Sequence, residues 1–393
     1  MRSTREQERQ EPAHAEMGCL ISCVRRRHDA SAPAPDARGV DWDRWLDLAM
    51  RHRVVPVLHG QLSAADEWIP SAVRAKLKDL YLSNAARNMG RVEELKRLAA
   101  LCDGQALPVM FVRGPVLAST LYGDLSLRQF TDLDLLVHAC DVSRLSEILV
   151  AEGYEPHFRL NGMQEKALIR YRTERCFIRS QDRSVVDVHW RLLPGFYSFE
   201  KDESALWSRS VTASLEGVLV RTLGQEDMFL FLCAHGAKHG WDQLSLLCDL
   251  AEMIRVAGEL DWEGVLARAE GAGKRRMVVV ALALVREVLG VMVPVNANGD
   301  GAVRALVEEL KARLGEGVGC QQVGGGETWR RAWKMMTSLK ERLAFAADLV
   351  LTPTGIECEK ARLSAKLFFV YRLLRLGRIA GRLFSRRSDR QES

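Results

Sequence analysis

Apolar residues recur with a helical period over the first hundred positions. They gather into short strand-like runs between Leu107 and Trp190, and the helical period returns after Glu226. Trp42, Trp45, Leu46 and Ala49 follow Asp41, a residue suited to cap a helix, and Pro56 breaks or redirects that helix. Val73, Leu77, Leu80, Tyr81, Leu95 and Leu98 predict a helix from Ser71 to Cys102. Pro108 to Val112 predicts a strand ending in a turn at Arg113-Gly114, after which a helix starts over Val116 to Leu121 and breaks at Tyr122-Gly123-Asp124. Phe130 to Val137 alternates as a strand, Asp141 to Ala151 is a helix ended by Gly153, and Cys176 to Ile178 and Val185 to Trp190 are further strands. Helices are predicted again over Met228 to Gly240 and Leu244 to Val256, joined at Trp241-Asp242, and over Val278 to Leu289. Two more, at about 330–350 and 360–385, close the chain.

This pattern divides the 393 residues into successive parts. Residues 1–38 are polar and Pro-containing, a disordered leader with room for a short helix around Gly18 to Arg27. A helical region over 39–103 precedes an α/β core over 104–220. A helical domain over 221–314 closes a cleft against that core, a Gly-rich linker covers 315–329, and 330–393 holds the last helices. The fold class is α+β, a mixed sheet flanked by N- and C-terminal helical regions.

Composition excludes more than it assigns. Apolar residues at 47% and charged residues at 27% are ordinary globular usage and argue against wholesale disorder. The nearest approach to a membrane span, Met277 to Val295, is interrupted by Arg286 and Glu287. Nine scattered cysteines without a CxxC fit free thiols and a cytoplasmic location better than a disulfide framework. The net charge is +5, but residues 361–393 alone carry +7, so the rest is slightly acidic and long nucleic acid is not the default partner. Within that tail Arg372, Arg375, Arg378, Arg382 and Arg386 recur every three or four residues opposite an apolar face. The favoured reading is a terminal helix packed on the body with its basic face in solvent. The alternative is contact with an anionic membrane surface.

The chemistry gathers on the strands. Residues two apart on a strand point to one side, so Asp132 and Asp134 project together, and Asp187 adds a third carboxylate if the two strands are neighbours. Hard oxygen ligands clustered this way suit Mg²⁺. Gly114 lets a backbone N–H approach a phosphate, and Arg128 can neutralise phosphate charge. His189 shares a strand face with Asp187 and is placed for proton transfer or support. His235 and His239 are one helical turn apart, but the Glu of a zinc-protease motif is absent, which favours a structural or cleft-lining role over zinc. Trp190, Trp241 and Tyr122 are candidates to stack on a base, with core packing the reading for at least one.

The order strand, Gly turn, helix, Arg, DxD strand and later Asp strand resembles the nucleotidyltransferase fold related to DNA polymerase beta. The run from Val112 to Pro156 is similar to the core signature of a bacterial family of uncharacterised nucleotidyltransferases within that superfamily. RHRVVPVL at 51–58, VVDVHWRL at 185–192, HGAKHGWDQLSLLCDLAEMI at 235–254, LTPTG at 351–355 and YRLLRLGRIAGR at 371–382 extend the likeness over most of residues 41–385. The resemblance implies a magnesium- or manganese-dependent transfer of a nucleoside monophosphate from an NTP to an acceptor, with pyrophosphate released. It makes Asp132, Asp134 and Asp187 the catalytic and metal-binding carboxylates. Arg113, Gly114, Arg128 and Lys238 become the nucleotide-binding residues, with His189, Asp249 and Tyr122 in support and Asp249 orienting Lys238. Arg113 stands where a lysine is usual. Phosphoryl transfer on the same scaffold, or a silent nucleotide- or peptide-binding module, are the competing readings, and the acceptor is a small molecule, peptide or protein.

Overall fold

The computed structural model describes residues 14–29, 31–62, 66–200, 202–256, 258, 260–293, 299–316, 325–354, 356, 357, 361, 363 and 367–388. Its centre is a five-stranded mixed sheet of strands β1 (Met110–Phe111), β2 (Asp132–Leu136), β3 (Tyr154–Pro156), β4 (Glu174–Arg179) and β5 (Ser184–His189). The spatial order is β1-β2-β5-β4-β3, with β2 and β5 parallel and the other pairs antiparallel. The two carboxylate-bearing strands are therefore neighbours, and their register sets Asp134 directly beside Asp187.

Alternation decides which face does what. Leu133, Leu135, Val186, Val188 and Phe177 point to one side and join a buried cluster under the long helix Ser71–Gly104. Asp132, Asp134, Asp187, His189, Cys176 and Glu174 occupy the alternate positions and so share the opposite face. On that face they meet the helix Gln225–Lys238 and the start of the helix Leu244–Val256. A second, larger cluster joins the helices before and after the sheet, running from Met17 and Leu20 through Trp45 and Phe229 to Val280, Leu310 and Phe345. The helical segments at either end of the chain thus share one hydrophobic core.

The helix His14–Arg25 overlaps the short helix for which the sequence reading left room around Gly18 to Arg27, but it is packed into the body and not part of a loose leader. Met17, Leu20, Cys23 and Val24 are buried in the larger core. Arg25 donates to the carbonyls of Glu287 at 2.8 Å and Val288 at 2.9 Å, the last turn of the helix Arg275–Leu289. Those carbonyls have no partner within their own helix, so the arginine caps it. Residues 1–13 lie outside the described residues. Most of the Gly-rich linker does too, at 317–324, while its ends belong to the helices Gly301–Glu316 and Gly325–Met335.

Among the elements that escaped the sequence reading are β3, the helix Gly162–Tyr171 with its Asn161/Gln164 capping box, a hairpin of β6 (Val211–Leu215) and β7 (Val218–Thr222) turning at Glu216-Gly217, and the helices Trp262–Gly271 and Gly301–Glu316. Pro56 redirects the chain as expected: Trp42–Arg51 ends, Arg53 takes a left-handed φ of 55°, and a new helix Val55–Gln61 begins. The terminal helix Val370–Ser388 packs through fully buried Tyr371, beside Ala167 and Phe368, and Arg378 pairs with Glu357 at 2.5 Å. Leu373, Leu374 and Leu376 on the same helix are exposed. No helix of the described residues is long and apolar enough to cross a membrane.

Candidate active site

The acidic face of the sheet forms one wall of a cleft of about 320 Å³. Carboxylate oxygens of Asp132, Asp134 and Asp187 lie within 4.8 Å of one another. Asp134 is buried, the other two are half-exposed, and the Oδ2 of Asp134 is buried with no hydrogen-bond partner. Burial and the neighbouring Asp134 and Asp132 raise the Asp187 carboxyl above its usual range. Three crowded acids with an unpartnered inward oxygen suit a hard divalent cation, which would offset their repulsion. The residues present therefore fit Mg²⁺ or Mn²⁺.

Arg113 follows β1 and its guanidinium faces the triad. Its Nη2 donates to Asp134 Oδ1 at 2.5 Å, and its Nη1 lies 2.8 Å from His235 Nε2. Arginine only donates, so that His235 nitrogen accepts. Burial, then Arg113 and His239, hold His235 well below the usual imidazole range, which keeps it neutral for this role. Burial works against the Asp134 charge, but Arg113 and His189 outweigh it and hold its carboxyl below the ordinary range. Gly114 supplies the turn with φ 54°, and a Cβ there would sit 3.1 Å from the Asp132 carbonyl oxygen. The glycine thus lets the turn press against the carboxylate strand itself.

Arg128 and Asp249 form a two-pronged ion pair with both contacts at 2.8 Å, and the Tyr122 hydroxyl donates to the same carboxylate at 2.8 Å. The sequence reading had Asp249 orienting Lys238; instead it fixes Arg128. The break at Trp241, with φ 52°, separates the two helices and sends Asp249 to the arginine. Lys238 lies 4.0 Å from Glu174 Oε2, and the same oxygen is 3.4 Å from His189 Nδ1. His189 Nε2 meets Asp134 Oδ1 at 3.1 Å. A chain from Lys238 through Glu174 and His189 to Asp134 results. Burial opposes the Glu174 charge, yet Lys238 and His189 lower its carboxyl overall.

Every site residue expected from sequence except Gly114 and Tyr122 lines this cleft. Tyr122 sits behind it on Asp249, while Trp190 and Trp241 are buried in the core, so none of these three rings faces a base there. His235 and His239 line the cleft with ring centroids 4.5 Å apart. Sequence reasoning missed Glu174, Cys176 and Arg53. Cys176 lies opposite Asp187 in the ladder; burial, then the Asp187 carboxylate, push the thiol up to about 12. Glu174 sits opposite His189 in the same ladder, a relation visible only once the register is known. Arg53 reaches the cleft from the left-handed link between two N-terminal helices, within the RHRVVPVL run.

Two buried asparagines steady the loop that carries Arg128. Asn88, on the long helix, donates to the Leu125 and Arg128 carbonyls at 2.7 Å each, and Asn84 one turn earlier reaches Ser126 and Arg128 at 3.4 Å.

A family model described as "Uncharacterised nucleotidyltransferase" matches residues 38–290, which is well over half of the chain. The chain belongs to this family. It is therefore a nucleotidyltransferase, a transferase of phosphorus-containing groups, and an NTP is the substrate the family implies. The matched range takes in the triad, both arginines, Lys238 and Asp249, and it ends before the LTPTG and YRLLRLGRIAGR stretches. No curated protein and no solved structure matches the chain.

Proposed function

We propose that this nucleotidyltransferase has a polymerase-beta-like core and moves a nucleoside monophosphate from an NTP to an acceptor, releasing pyrophosphate, with a divalent metal ion held by its three aspartates. The observation that carries this reading is the triad itself: three carboxylates within 4.8 Å on two parallel strands, open to a cleft and lined with cations. Mg²⁺ or Mn²⁺ bound there would neutralise phosphate charge and steady both the attacking and the leaving oxygen of an in-line displacement. Asp132, Asp134 and Asp187 hold the ion, and Asp187 also accepts the acceptor's proton. Arg113 keeps the buried Asp134 ionised and pointed at the cleft. Among Arg113, Arg128 and Lys238, the lysine has the longest ion pair and is the freest to turn toward the triphosphate, with Arg53 beside it. Arg128 contributes a fixed positive field from its place on Asp249.

The acceptor is a small molecule, a peptide or a protein; the slightly acidic body disfavours long nucleic acid. The free thiols of the described cysteines accord with a cytoplasmic location. The test incubates the chain with each NTP, Mg²⁺ and candidate acceptors and follows pyrophosphate and product mass. A product heavier by one nucleoside monophosphate, lost in Asp132→Asn and Asp134→Asn, is the expected result. A gain of one phosphate alone would mean phosphoryl transfer, and undiminished turnover in both variants would remove the site.

A further inference from the structure

A second and larger cleft, about 940 Å³, opens beside the first, and Leu193 lines both. The smaller cleft lies near the lower bound for ligand sites and the larger near the upper. Two arginines line the larger cleft, each two residues from one that lines the smaller: Arg172 from Glu174 and Arg191 from Leu193. Arg172 ends the helix Gly162–Tyr171, and Arg191 lies two residues beyond His189. The Thr173 carbonyl accepts from the Trp190 and Arg191 backbones at 3.0 and 3.3 Å, while Trp190 Nε1 donates to the Arg172 carbonyl at 2.7 Å. Both arginines are thus mounted on a fixed frame at the end of the catalytic sheet.

Among the described residues neither guanidinium makes a side-chain hydrogen bond or ion pair, although Arg172 lies near enough to Glu174 to lower its carboxyl and Arg191 near enough to Glu203 to oppose the rise of its carboxyl. The acids of the same cleft are largely spoken for. Glu200 is bound by Arg209 at 2.7 Å and Arg268 at 2.6 Å, Asp202 by the Ser204 N–H and hydroxyl, and Asp348 by Thr352. Glu203 is the exception, with a buried Oε2 that has no partner. Burial pushes this carboxyl up to about 7, so near neutral pH it exists partly as an acid able to donate a hydrogen bond. The cleft therefore offers two forked cations with no hydrogen-bonded side-chain partner among the described residues and one weakly acidic carboxyl, the recognition set for a carboxylate or phosphate group.

We propose that this cleft is the acceptor site of the transferase and that the acceptor is a small molecule bearing a carboxylate or phosphate, held by Arg172 and Arg191. The inference rests on the nucleotidyl-transfer reading above. The anionic end sits between the two arginines, and a hydroxyl or amine on the same molecule extends past Leu193 to the carboxylate triad. That oxygen or nitrogen forms a bond to the α-phosphorus as the bond from α-phosphorus to the bridging oxygen breaks. Pyrophosphate leaves with the bridging oxygen's electron pair, and the acceptor's proton passes to Asp187.

The test maps phenylglyoxal labelling of arginines across the full chain by peptide mass, with inorganic phosphate or succinate as probes and no metal present, and separately with Mg²⁺–ATP. Phosphate or succinate is expected to slow labelling of Arg172 and Arg191 at least fivefold while exposed Arg38 is unaffected. Arg191→Gln should weaken the protection of Arg172. In Asp134→Asn, Mg²⁺–ATP binding is expected to be lost and the anion protection kept. Protection by neither anion, or protection by Mg²⁺–ATP alone, would overturn the assignment. Anion protection in a wild-type chain that binds no Mg²⁺–ATP would instead strike the transfer reading, and with it the acceptor role.

Discussion

At the scale of single residues, the site is governed by which carboxylate each cation answers. Arg113 and Arg128 look equivalent in the sequence, each a basic residue near the DxD strand. In the structure one holds Asp134 within the carboxylate cluster and the other is locked on Asp249 at the edge of the same cleft. Asp249→Ala should therefore leave Arg128 and the Tyr122 hydroxyl buried without an acceptor. Breaking a buried pair from one side costs about 3–5 kcal/mol, which urea denaturation would register. Nucleotide turnover should fall along with stability, because Arg128 loses the carboxylate that fixes its place at the cleft. A variant as stable as wild type would show that Arg128 finds another partner. The Asp132–Asp134 pair was legible from strand periodicity, since two residues apart means one face, whereas Asp187 joined them only on the condition that its strand is a neighbour, which the register meets. Glu174 and Cys176 were not, because their place beside His189 and Asp187 depends on antiparallel register, which no local pattern encodes.

At the scale of elements, the helices and strands with strong periodicity were legible and the weakly apolar ones were not. The helix His14–Arg25 carries Gly18, Cys19, Ser22 and Cys23 and is followed by Ser-Ala-Pro-Ala-Pro, so its signal was faint. Yet Leu20 is fully buried in the larger core. Leu20→Ala should destabilise the chain by about 2–5 kcal/mol, measured by urea denaturation; a change under about 0.5 kcal/mol, the size of an ordinary surface substitution, would return this helix to the status of a leader. His52 ties a second pair of elements. Its Nδ1 accepts from the Leu244 backbone at 3.3 Å, and its carbonyl accepts from Ser245 at 3.2 Å, so the N-terminal helices fix the start of the helix bearing Asp249. Burial, then Arg51, lower this imidazole to about 4, below the 6.5 of an exposed one. The unfolded chain binds the proton more readily, so the stabilisation is complete above about pH 6.5 and is lost as the pH falls from there toward 4. A shift of that size sets a ceiling of about 3 kcal/mol. His52→Asn, which keeps an acceptor near the same place, should flatten this part of the stability profile between pH 7.5 and 4.5. An unchanged slope would assign the loss to other groups.

At the scale of the whole molecule, the chain sets a mixed sheet between helices that come from both of its ends. The helices before the sheet supply Arg53 to the cleft, those after it supply Lys238, His235 and Asp249, and a common core holds them together. This union was hidden in the sequence, where the two helical regions stand more than a hundred residues apart and look like separate units. The order of motifs did carry the family, since the Gly turn, the arginines and the DxD strand lie within the matched range. The claim on which the account turns is that the three aspartates bind nucleotide through a divalent ion. Binding of a fluorescent ATP analogue to the full-length chain, measured in Mg²⁺ and in EDTA beside the Asp187→Asn variant, tests it most directly. Binding in Mg²⁺ is expected to weaken more than tenfold on chelation and equally in the variant. Binding of equal strength under all three conditions would contradict it.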